Sequence, residues 1–153
     1  MEKTFESIKN AVDAFDRAAK IIYSEEIKIP KEDLELDSLI MPGIVLNAFS
    51  CELALKAIGV KRGIDVKHIH FLDKLFFILP EEDKDKISKK VIEIYGITET
   101  AQEGYNRNSF DKDLKSISNV FEECRYFYEC SRTVKLIFLL KFSQILTEYI
   151  NTI

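Results

Sequence analysis

The sequence predicts an all-α fold, an up-and-down bundle of four long helices plus one or two short ones. Two observations carry that prediction: apolar residues recur at spacings of three and four along most of the chain, and no stretch alternates well enough to form a sheet strand. A third is size. The 153 residues contain no internal repeat or low-complexity tract and fit a single domain over 1–153, long enough to bury roughly 68–70% of its unfolded surface.

The first helix is set by Phe5, Ile8, Val12, Phe15, Ala19 and Ile22, which share one stripe, with Lys3, Asp13, Asp16, Arg17 and Lys20 largely on the other side. Ser24 to Asp37 is polar, contains Pro30 and reads as an irregular connection. The second helix starts near Asp37 or Ser38, either of which can cap it, tolerates Pro42 in its first turn, and runs to Gly59, a residue suited to ending a helix. After a short loop at Gly63 to Lys67, Leu72, Leu75, Phe76 and Leu79 mark a third helix ended by Pro80. A fourth follows from Asp83 to Tyr95, opened by the acidic Glu81-Glu82-Asp83 and closed by Gly96. Thr98 to Ser109 reads as the most mobile loop. Phe110, Leu114, Ile117, Phe121, Cys124 and Tyr128 then form the cleanest helical stripe, and Leu136 to Ile153 the closing helix, although Val134 to Phe142 also admits a strand.

Composition excludes several classes of function. Cys51, Cys124 and Cys130 are an odd number with no CxxC pair, and two histidines complete no metal site, so no metal and no cofactor are expected. The start, Met1 to Ser7, lacks the pattern of a signal peptide, and the apolar runs read as too short to span a bilayer, so a cytoplasmic, non-membrane protein is expected. A formal charge of −4 provides no long-range attraction to polyphosphate. Lys84, Lys86, Lys89 and Lys90 interleave with acids, as on a solvated helix.

Three groups of residues carry the chemistry. Asn47, Glu52, Lys56 and His70 form a candidate polar cluster or ligand site, against the plainer reading of Glu52 and Lys56 as a surface i,i+4 pair. Arg125, with Tyr126, Tyr128 and Glu129, is the candidate catalytic group; in the alternative, Glu122 and Glu129 on its own helix face, or Glu52, simply anchor its charge. Ile137, Phe138, Leu139 and Leu140 are four apolar residues in a row, more than one helix face can hold, which places Phe138, Leu139 and Leu140 at an interface with a partner.

From about Leu39 onward the chain resembles the HEPN domain family. The pieces that carry the likeness are Pro42-Gly43-Ile44-Val45-Leu46-Asn47-Ala48-Phe49-Ser50-Cys51-Glu52-Leu53-Ala54-Leu55-Lys56-Ala57, then His70-Phe71-Leu72-Asp73-Lys74-Leu75, Leu79-Pro80-Glu81-Glu82, Phe121 to Glu129, and the leucine-rich end. The resemblance implies a small four- to five-helix bundle, commonly a homodimer, in toxin–antitoxin or anti-phage defence. It also implies a cognate protein partner such as an antitoxin, or RNA. Ribonuclease members use an arginine followed four to six residues later by a histidine, the imidazole moving protons and the cation stabilising phosphate charge. Here the Arg-x4-6-His spacing after Arg125 reaches Cys130, Ser131 and Arg132, and no histidine follows His70. The leading expectation is therefore a HEPN-like module without an intact ribonuclease motif. The alternatives are a metal-independent endoribonuclease using Arg125 with a tyrosine as acid/base, and a helical domain binding a nucleotide or other small molecule near Glu52, Lys56 and His70.

Overall fold

The computed structural model describes residues 4–28, 40–124 and 135–153, and these form seven helices and no strand. They are α1 (Phe5–Lys28), α2 (Ile40–Lys61), α3 (Leu72–Phe77), α4 (Glu81–Tyr95), α5 (Arg107–Ile117), α6 (Val120–Cys124) and α7 (Leu136–Ile150). Four have fifteen residues or more, as an all-α bundle requires.

Helix α2 lies at the centre because it is apolar all round: Ile44, Ala48, Cys51, Leu55 and Ile58 are buried together with the small residues between them. It packs most extensively against α1 and also against α3, α6 and α7. By length and composition alone α2 is apolar enough to cross a membrane, contrary to the reading of the sequence above, and 67% of that apolar window is buried inside the protein. An aromatic part of the same core joins α3, α4, α5 and α7 through Phe76, Tyr95, Phe110, Phe138 and Phe142, whose adjacent ring centroids lie 5.3–6.4 Å apart. Burying each such ring contributes about 1.5–3 kcal/mol.

Two boundaries differ from expectation. Gly59 does not end α2. It sits inside the helix where a Cβ would come within 2.6 Å of Val66 Cγ1, so its missing side chain admits the returning loop. The stop is Gly63, with φ 74°, whose N–H donates to the Val60 carbonyl while that of Ile64 donates to the Gly59 carbonyl, the two bonds of a Schellman motif. The long stripe from Phe110 is likewise interrupted at Ser118, between α5 and α6. There the Ser118 carbonyl accepts from the Leu72 amide and its hydroxyl from the Asp73 amide, so the break caps the start of α3. The buried residues keep their register across it, which is why periodicity alone did not reveal the interruption. The expected start of α2 at Asp37 or Ser38, and Tyr128, lie outside the described residues.

The Gly96–Asn106 connection is anchored at both ends. Thr98 Oγ1 donates to the Tyr95 carbonyl, and Asn106 caps α5 in a reciprocal capping box with Ser109. In α7, Phe138 and Leu139 are 0% exposed within the chain's own core, so they are not interface residues; Leu140 is half-buried, and the exposed member of the run is Ile137, at 37%. Four residues in a row cover the helix circumference, but α2, α4 and the aromatic core surround most of it.

Candidate functional site

The polar cluster on α2 is built by the turn that ends the helix. Once Gly63 reverses the chain, Val66 lands on Gly59 and the loop runs back along α2, setting His70 beside Glu52. Lys56 arrives from the other direction, one turn along the same helix. Glu52 Oε1 accepts from Lys56 Nζ at 2.7 Å and from His70 Nδ1 at 2.9 Å, and the two nitrogens are 3.5 Å apart. The Glu52 side chain is 3% exposed, Lys56 14% and His70 52%. Glu52 Oε2 is buried without a hydrogen-bond partner. This is a buried ion pair and not a surface one, so removing either charge carries the cost of stranding the other.

Asn47 does not belong to this group. Its Nδ2 donates to Ser143 Oγ at 3.0 Å, turning it toward α7 and a separate cavity. His68 is exposed in the loop. Arg125, Tyr126, Tyr128 and Glu129 lie outside the described residues. Lys86 pairs with Glu82 at 2.5 Å on the solvated side of α4, whereas Lys84, expected there too, is 12% exposed and its Nζ pairs with Glu81 at 2.6 Å and donates to the Phe77 carbonyl at 3.3 Å.

Three buried carboxylates escaped the reading of the sequence. Asp83, 1% exposed, accepts a fork from Arg62, Nε to Oδ2 at 2.9 Å and Nη2 to Oδ1 at 2.7 Å, and a hydrogen bond from the Tyr149 hydroxyl. It thereby ties the end of α2 to α4 and α7. Burial alone would raise the Asp83 carboxyl, but the bonds from Arg62 and Tyr149 and the guanidinium charge outweigh it and hold it below its ordinary value. Tyr149 is pushed up to about 12 by burial and by the neighbouring carboxylate. Asp113 accepts from Tyr105 Oη at 2.9 Å and from Lys135 Nζ, joining α5 to the start of α7; burial and then Asp113 raise the Tyr105 phenol. Asp16 pairs with Lys20 at 2.8 Å and is buried, not on the solvent side of α1. A signal for these existed: Asp83 falls in the i,i+4 series with Ile87, Val91 and Tyr95, and Asp16 lies four after Val12 and three before Ala19, all buried.

Chemically, the Glu52 cluster is a charge-compensated knot. The Lys56 ammonium and the His70 ring are both directed at one carboxylate oxygen, which suits holding the loop before α3 on α2. Among the described residues no group of histidine, cysteine and acidic side chains is arranged to hold a metal ion. Comparison of the chain with protein-family models, with curated proteins and with solved structures finds no match.

Proposed function

We propose that this chain is a HEPN-like helical module that works as a dimer or bound to a partner chain, such as an antitoxin, in a prokaryotic defence or toxin–antitoxin setting, without an intact ribonuclease motif. The all-α bundle fits such a module. The observation that carries the reading is the Glu52–Lys56–His70 cluster. Metal-independent RNA cleavage needs a fixed cation for the phosphate and an imidazole placed to move a proton. Lys56 is largely buried and held by Glu52, and the Nδ1 of His70 is held by the same oxygen. These groups therefore brace two elements of the bundle and do not present a cation to a polyanion, and the charge of −4 adds no attraction. The exposed Ile137 on α7 is the point at which a partner contact is most directly probed.

The test is incubation of purified protein, wild type and Arg125→Ala, with total tRNA and mRNA in EDTA, followed on a denaturing gel. The module reading expects intact RNA in both samples. Cleavage by the wild type that is lost in the variant overturns it and favours a metal-independent endoribonuclease.

A further inference from the structure

Between α1, α2 and α7 lies a cavity of about 370 Å³, within the size range of small-molecule sites. It is separate from the Glu52 cluster. Tyr23, Asn47 and Ser143 line it together with Leu140, and two of its oxygens, Tyr23 Oη and Asn47 Oδ1, are buried with no hydrogen-bond partner. Buried polar atoms are nearly always paired, so two orphans lining one cavity mark a place where something is to be bound.

The two orphans differ in kind. Asn47 spends its amide N–H on Ser143 at 3.0 Å, which leaves its carbonyl oxygen as an acceptor. The Tyr23 phenol is held protonated by burial and then by its proximity to Cys51, which leaves it as a donor. Its place against α2 depends on a missing side chain: a Cβ on Gly43 would lie 2.6 Å from Tyr23 Cε1. Among the described residues of the lining, Asp16 is matched with Lys20 at 2.8 Å, and Glu148 accepts from the neutral Gln144 Nε2 at 3.0 Å near the surface. Among the described residues the unmet demand is therefore one neutral donor and one neutral acceptor. An inorganic anion would meet Asp16 and Glu148, and a metal ion would meet Lys20.

We propose that this cavity binds a small uncharged molecule bearing both an N–H and a C=O, a lactam or carboxamide, with its N–H donated to Asn47 Oδ1, its C=O accepting from Tyr23 Oη, and its apolar part against Leu140. The site stands independently of the reading given under Proposed function.

The experiment is an NMR titration of the ¹⁵N-labelled full chain with uracil as the lactam, nicotinamide as the carboxamide and inorganic phosphate as the anion. Saturable shifts at Tyr23, Asn47 and Ser143 are expected with uracil or nicotinamide and none with phosphate. Tyr23→Phe removes an oxygen that has no partner in the protein, so the variant should melt no lower than wild type while binding roughly tenfold more weakly, the equivalent of one hydrogen bond. Gly43→Ala, which displaces the Tyr23 ring, should also weaken binding. The proposal is overturned by the absence of saturable shifts with both organic probes, by saturation with phosphate, by undiminished binding in Tyr23→Phe, or by a lower melting temperature of Tyr23→Phe, which would assign its hydroxyl a structural partner.

Discussion

Replacing Lys56 by Met separates the two readings of the Glu52–Lys56 pair. Met keeps most of the aliphatic stem and deletes the ammonium, leaving the Glu52 carboxylate 3% exposed with His70 as its remaining partner among the described residues and Oε2 still unmatched. Breaking a buried pair from one side costs about 3–5 kcal/mol, whereas an exposed i,i+4 pair is worth about 0.3–0.5. Because His70 retains its contact, the lower end applies, a loss of about 3 kcal/mol. With a urea slope near the middle of the usual range, about 2 kcal/mol per M, the unfolding midpoint should fall by roughly 1.5 M. The Glu52→Gln/Lys56→Met double variant removes both charges and should recover most of the loss, which a double-mutant cycle measures as coupling. A midpoint within about 0.2 M of wild type for Lys56→Met, the shift expected of a surface pair, would refute the reasoning.

Further consequences concern the other networks. The raised Tyr149 contributes stability that is fully present below the ordinary tyrosine pKa of about 10 and is lost as pH rises through about 12. The depressed Asp83 contributes stability present above its ordinary value of about 4 and lost as pH falls below that through its lower folded value. Urea midpoints measured against pH should therefore decline at both ends, and Tyr149→Phe should flatten the alkaline decline; an unchanged alkaline limb would dismiss Tyr149 as its source. Leu139→Asp should unfold the protein, since it puts a carboxylate in the core at a cost of about 4 kcal/mol or more. Ile137→Asp should leave the circular dichroism and melting curve intact while shifting sedimentation toward the monomer, and an unaltered profile would move the contact elsewhere.

Helix class and most helix positions were legible in the sequence because burial follows the three-and-four spacing so closely in α1, α4, α5 and α7. The stop of α2 was not, since Gly59 and Gly63 offer the same local chemistry and only the approach of Val66 tells them apart. Glu52, Lys56 and His70 were legible as a group because the first two are one turn apart and His70 ends the loop that follows. Asn47 was misassigned to them: periodicity gives a residue's face but not which neighbouring helix meets it, and here α7 does. Asp16 and Asp83 were read as solvent-facing charge and Asp113 was not singled out, although their spacing from buried neighbours placed them inward. Their cationic partners come from 4, 21 and 22 residues away, and of these only the near one, Lys20 beside Asp16, is visible as a local pattern.

The central claim, a HEPN-like module without an intact ribonuclease motif, is tested most directly by RNA digestion in EDTA with wild type and Arg125→Ala side by side. The account predicts full-length tRNA and mRNA in both lanes. Fragments produced by the wild type and absent with the variant would contradict it.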